Sequence, residues 1–204
     1  TTPALISQTE DDYHSVEQLV LTGDYAYQVD RIDGLYIYLI SDPARLSLKG
    51  SYKLPEDTLS IAVAGEYAYL GGESGSLLVL DVSNPASPEQ VGQYEMPGQV
   101  DTLTAAGKFV YLLDSKHIWV VDTSDPASPS IAGYYALRYE QEDIAVQGNY
   151  IYLAGSLMVV DISDPANPVA VKPYPRDYYG EGLAVWGSYV YLYASEEMGS
   201  AVMV

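Results

Sequence analysis

The hydrophobic positions of this chain fall in short runs separated by turn residues. Between residues 59 and 94, Leu59 to Val63 predicts one strand and Tyr67 to Leu70 a second. Leu77 to Val82 predicts a third, and Glu89 to Tyr94 a fourth. A tight turn at Gly65-Glu66 joins the first two, a variable loop the next two, and a Pro-rich turn the last two. Strands about ten residues apart, with turn signals between them, mark an all-β sandwich or propeller. The second strand carries Tyr on one face and Ala, Val or Ile on the other. Both faces are apolar, so the sheet must be covered on both sides. Blades stacked around an axis meet that need; an open antiparallel sheet usually wets one face.

The pattern repeats. Gly-x-aromatic-x-Tyr begins at Gly23, Gly65, Gly107, Gly148 and Gly187, at intervals of 42, 42, 41 and 39 residues. Self-similarity at such a period marks a repeat architecture. The aromatics that follow these glycines by two places, Tyr25, Tyr67, Phe109, Tyr150 and Tyr189, are expected to form the core between blades. A second signal follows the first in the middle repeats. It runs from Leu78 through Asp81, Ser83 and Pro85 to Pro88, from Trp119 through Asp122, Ser124 and Pro126 to Pro129, and from Met158 through Asp161, Ser163 and Pro165 to Pro168. Repeat one keeps Ser41-Asp42-Pro43 but has Leu39 in place of the first Asp.

The ends complement each other. Pro3 to Thr9 matches Pro88 to Tyr94, a fourth strand without its own first three. Ala201 to Val204 matches a third strand without its turn and fourth. The expectation is a single domain over residues 1–204: a five-bladed β-propeller whose N-terminal strand completes the last blade. Such closure removes the open edges that invite aggregation. The rival is a segment cut from a longer array.

The segments Leu77 to Asp81, Ile118 to Asp122 and Leu157 to Asp161, each running into Ser-(Asp/Asn)-Pro-Ala-x-Pro, resemble the LVIVD repeat. The likeness extends over nearly the whole chain. It implies a β-propeller and a place among bacterial and archaeal cell-surface proteins. It implies no catalytic residue. Leu39, and the missing Asp-turn of repeat five, depart from its pattern.

Composition narrows the function. Nine basic residues face 28 acidic ones, for a formal charge of −19. That balance repels phosphate backbones and anionic membranes, so neither nucleic acid nor membrane insertion is expected. It attracts cations and basic surfaces. Apolar residues make up 48%, enough for a sizeable core. No apolar run is long enough to span a bilayer. There is no cysteine, which excludes disulfides and thiolate metal sites. The 21 tyrosines suit a secreted or surface protein, expected as a monomer.

Candidate chemistry gathers in the loops. Asp81, Asp122 and Asp161 recur at one position, which points to turn formation through side-chain bonds to backbone amides. In a propeller, the loops between fourth and first strands share one face with those between second and third. That face receives Glu17, Asp57, Asp101, Glu142 and Glu181, expected to converge near the axis as a ring of oxygen ligands suited to Ca²⁺. Asp143 is the alternative to Glu142. The same face carries Tyr139, Arg176, Asp177, Tyr178 and Tyr179, a mixture that suits a protein, peptide or glycan ligand. No nucleophile elbow, zinc-protease helix or phosphate loop occurs. The reading is a non-catalytic binding or scaffold module at the cell surface or outside the cell. The alternative is a carbohydrate-active hydrolase using axial carboxylates.

Deleting residues 1–9 is expected to expose a sheet edge, lowering the melting temperature markedly or causing aggregation. A variant that melts with the full chain and stays monodisperse on size-exclusion chromatography overturns the closure reading.

Overall fold

The computed structural model describes residues 16–54, 57–171 and 180–193. The described residues form strands and turns without helices. The first sheet holds β1 (Val16–Thr22), β2 (Tyr25–Asp30), β3 (Gly34–Leu39) and β4 (Ser47–Tyr52). The second holds β5 (Thr58–Ala64), β6 (Tyr67–Gly72), β7 (Ser76–Asp81) and β8 (Glu89–Glu95). The third holds β9 (Thr102–Ala106), β10 (Phe109–Leu113), β11 (His117–Asp122) and β12 (Ser130–Ala136). The fourth holds β13 (Ile144–Gln147), β14 (Tyr150–Leu153), β15 (Met158–Asp161) and β16 (Val169–Ala170). A hairpin of β17 (Gly182–Trp186) and β18 (Tyr189–Tyr193) follows. Each four-stranded sheet is an antiparallel meander in chain order. The glycine opening each tight first turn supplies a positive φ, +61° at Gly65.

The first strands adjoin in sequence: β1 lies beside β5, β5 beside β9, β9 beside β13, and β13 beside β17. All five line one cavity of about 320 Å³. Three polar side chains tie them together there. Gln18 Oε1 accepts the Ile61 amide (2.6 Å) and the Ser60 hydroxyl (2.9 Å). Ser60 Oγ in turn accepts the Leu103 amide (3.0 Å). Asp143 Oδ2 accepts the Leu183 amide (3.0 Å). In each case a residue in, or immediately before, one first strand accepts an N–H from the next sheet.

The apolar core lies between sheets. Tyr27, Val29, Leu35 and Ile37 of the first sheet meet Ile61, Ala68, Leu70, Leu78 and Leu80 of the second. The same arrangement recurs at the second seam, through Tyr69, Val79, Val110 and Leu112, and at the third, through Tyr111, Ile118, Ile151 and Val160. Burying both faces explains why the strands read as unbroken apolar stretches.

The depth of the aromatics differs from the expectation. Tyr25, Tyr67 and Phe109 are only partly buried, Tyr150 is 41% exposed and Tyr189 47%. The buried ring stands two residues further on, at Tyr27, Tyr69 and Tyr111. Both point to the same face, but the earlier one sits at the strand end beside the tight turn. The later one reaches the middle of the seam.

The recurrent Asp residues do set turns. Asp81, Asp122 and Asp161 each accept, at 2.8 Å, the amide of the Ser two places on. Asp125 and Asp164 then accept the amides of Ala127 and Ala166, both at 3.1 Å. The turn has a second purpose that the motif alone does not reveal. Its Pro carbonyl presses on a glycine in the fourth strand of the preceding sheet: Pro85 on Gly50, Pro126 on Gly92, Pro165 on Gly133. Each glycine follows a β-bulge, and a Cβ at any of them collides with backbone. Residues 1–9 and Ala201 to Val204, expected to complete the last sheet, lie outside the described residues.

Two substitutions test this packing. Tyr69→Ala should cost about 3–5 kcal/mol, as buried aromatic truncations do. Gly92→Ala should cost at least about 2 kcal/mol, because the clash is with backbone that cannot rotate away. Urea unfolding read by circular dichroism gives both; a loss below about 1 kcal/mol for Tyr69→Ala would refute the assigned seam.

Candidate functional site

The connections between sheets and the hairpins between second and third strands meet on one face. The Val100 amide donates to Gly72 O (3.1 Å), Met96 N to Gly75 O (2.8 Å) and Asp101 N to Leu113 O (2.9 Å). On this face the second seam ends in a groove between loops.

The groove of the second seam is a cleft of about 360 Å³. Pro97, Gly98, Gln99 and Asp101 supply one wall, from the β8–β9 connection. Asp114 and Lys116, from the β10–β11 hairpin, and His117 and Trp119 of β11 supply the other. Asp114 organises that wall. Its Oδ1 accepts the amides of Lys116 and His117, both at 2.6 Å. Its Oδ2 accepts Trp119 Nε1 (2.8 Å) and lies 3.3 Å from His117 Nδ1. Burial pushes this carboxyl up, but the Trp119 indole, the two amides and the His117 ring outweigh it and hold the group below the usual range.

Asp101 lies oppositely. Partial loss of solvent in the cleft, then the nearby charge of Asp114, push this exposed carboxyl above the usual range against one hydrogen bond from Gln99 Nε2 (2.9 Å); Glu140 and Glu142 add to the rise. Two carboxyls pushed apart can signal an acid and base pair. Here two backbone amides and the Trp119 indole donate to Asp114, and the His117 ring lies beside it, so this carboxyl holds the shape of its wall.

The aromatic side of the cleft is preassembled. Trp119 and Tyr134 face each other across β11 and β12 with centroids 5.3 Å apart. The His117 ring stands 4.9 Å from Trp119 and 5.7 Å from Tyr134. Tyr134 is 55% exposed, so its ring is open to a ligand. Sequence reasoning passed over Asp114, Trp119 and Tyr134. The spacing of His117 and Trp119, two apart on one strand, was the available signal that their side chains share a face.

The five carboxylates expected to ring the axis are exposed, and none lines the axial cavity. The cavity is lined one residue further along, by Gln18, Thr102 and Asp143. A strand alternates sides at every residue, so a shift of one reverses which side chain points inward. Asp143, the alternative to Glu142, is the axial one. Its Oδ1 accepts the Ile144 amide and its Oδ2 the Leu183 amide, while burial raises it above the usual range against those two bonds. Asp57 pairs with Arg31 (Nε–Oδ2 3.2 Å), which also pairs with Glu73. Among the described residues, no three His, Asp or Glu side chains gather as a metal site.

Tyr139 is 46% exposed in the β12–β13 connection, with the Arg138 guanidinium 5.9 Å from its ring centroid. Gln141 braces that loop: its amide nitrogen donates to Tyr139 O, Glu140 O and Ser156 Oγ. Arg176, Asp177, Tyr178 and Tyr179, expected beside Tyr139, lie outside the described residues.

Solved structures show the same architecture. The WD40 β-propeller domain of Doa1 superposes with a TM-score of 0.69 at 14% identity, covering 90% of this chain and 64% of that one. The computationally designed protein Ika8 gives 0.68 at 12% identity, covering 88% and 55%. The Pan2 WD40 domain of Neurospora crassa gives 0.65 at 13% identity, covering 82% and 54%. This chain therefore spans between about half and two thirds of their lengths, and at such identities the likeness shows the fold alone. No curated protein matches its sequence. The LVIVD repeat matches four times, over residues 15–54, 55–96, 97–136 and 140–175. With β-propeller architecture and four matched repeats, the chain belongs to the LVIVD repeat family.

Proposed function

We propose that this protein is a non-catalytic binding module whose loop face receives a peptide, glycan or protein partner outside the cell or at its surface. The observation that carries the reading is the second-seam cleft, where the rings of Trp119 and His117, with Tyr134 packed against them, share one space with the carboxylate of Asp101. Propeller repeats supply a rigid frame, and loops at seam ends supply variable contacts. The crowding of Asp114 by two amides, an indole and the His117 ring favours binding over hydrolysis. The charge of −19 and the family resemblance support an extracellular setting.

The frame is read as a closed five-bladed ring and a monomer. Leu19 and Leu21 support closure. They occupy on β1 the positions that Ile61 and Val63 occupy on β5, facing away from the following sheet. Ile61 is 1% exposed against the first sheet, whereas Leu19 is 54% exposed and Leu21 63%. Tyr189 and Tyr193, 47% and 59% exposed on β18, are the apolar surface that closure sets against them.

Screening the purified chain on peptide and glycan arrays tests the reading. Tyr134→Ala together with Tyr139→Ala should weaken the selected ligand at least about fivefold, the scale of losing one or two interface aromatics. Tyr150→Ala, at the opposite end of the strands, should leave affinity unchanged. Equal losses from both variants, or no ligand on either array, would reject the loop face as the recognition surface.

A further inference from the structure

At the first seam the protein bridges the loop end with its own side chain. Arg31, from the β2–β3 hairpin, reaches Asp57 and Glu73 across the seam. One repeat later the matching position is Glu73, 42 residues on, so the chain supplies no cation of its own there. Among the described residues, no lysine or arginine pairs with Asp101 or Asp114. Instead the second-seam groove is an open cleft with Trp119 and His117 along one side and Tyr134 packed against those two rings.

We propose that this cleft binds an arginine side chain of a partner peptide, its guanidinium taking beside Asp101 the place that Arg31 takes beside Asp57. The inference rests on the loop face being the recognition surface, and it names the chemistry recognised. Arginine fits better than lysine. Its planar group can meet a carboxylate edge-on while its face lies against an aromatic ring, and it sheds water more readily than an ammonium. The crowding of Asp101 by Asp114, Glu140 and Glu142 gives a field that an arriving cation relieves. A neutral sugar gains nothing from that field. Lys116, on the hairpin lining the same cleft, opposes the arginine and sets the affinity lower than the field alone predicts.

Trp119 is the natural reporter, because the chain's other indole, Trp186, can be removed by Trp186→Phe. In that background the peptide acetyl-Gly-Arg-Gly-amide should change Trp119 fluorescence saturably. Acetyl-Gly-Gln-Gly-amide and chitotriose should not. Asp101→Asn should weaken the arginine peptide at least tenfold, and Lys116→Ala should tighten it two- to threefold. Asp101→Asn should not lower the melting temperature at pH 7. The fold raises this carboxyl, so it disfavours the charge present there, and removing that charge relieves the cost. Equal responses to the arginine and glutamine peptides, or an affinity indifferent to Asp101→Asn, would overturn the proposal. Chitotriose binding that Tyr134→Ala abolishes and Asp101→Asn spares would also overturn it, while leaving the broader reading of the loop face intact.

Discussion

Every sheet in this protein has two apolar faces, and that constraint governs the rest. A single four-stranded meander of this kind cannot be stable in water, because one face always remains to be covered. Each described seam solves the problem in the same sense. The Tyr-bearing face of one sheet packs on the Ala, Val and Leu face of the next, and the core is distributed between neighbours. The polar bonds follow the same direction. Gln18, Ser60 and Asp143 each accept an amide from the following first strand, so that backbone groups lying between strands of different sheets are still satisfied.

Much of this was legible in the sequence because repetition multiplies weak signals. One Gly-x-aromatic-x-Tyr is a common strand start; five at a near-constant interval fix a period, and the period fixes where turns must fall. Asp81, Asp122 and Asp161 were legible as turn formers for the same reason. What was hidden depends on distances between sheets. Nothing local distinguishes Tyr67 at a strand end from Tyr69 in mid-seam, since both lie on one face. Nothing local distinguishes Glu142 from Asp143 at the axis until the register of β13 against β14 is known. Gly50, Gly92 and Gly133 read as ordinary weak points in strands. Their reason is a carbonyl arriving from another sheet.

The site was legible only in its outline. Loops of the expected face do come together, and Tyr139 stands exposed on one of them. The charges on that face are not one acidic ring, however. They are sorted seam by seam, with Arg31 balancing Asp57 and Glu73 at the first and Asp101 standing opposite Asp114 at the second. Sorting of this kind arises because equivalent positions in successive repeats hold different residues on a shared backbone. Arg31 and Glu73 occupy one such position; their opposite charges make neighbouring grooves chemically distinct without altering the frame.

The contact between glycine and proline carbonyl also bears on how such a chain can lengthen. Gly50 receives Pro85, Gly92 receives Pro126 and Gly133 receives Pro165, so the recess lies in one repeat and the projection that fills it lies in the next. A gene duplication that copies the second or third repeat whole carries both, and the new neighbour finds its counterpart. A recombination that joins unrelated repeats sets the projection against a side chain. Descent by whole-period copying is therefore favoured over shuffling, and the mechanical joint itself acts as the filter on which rearrangements survive.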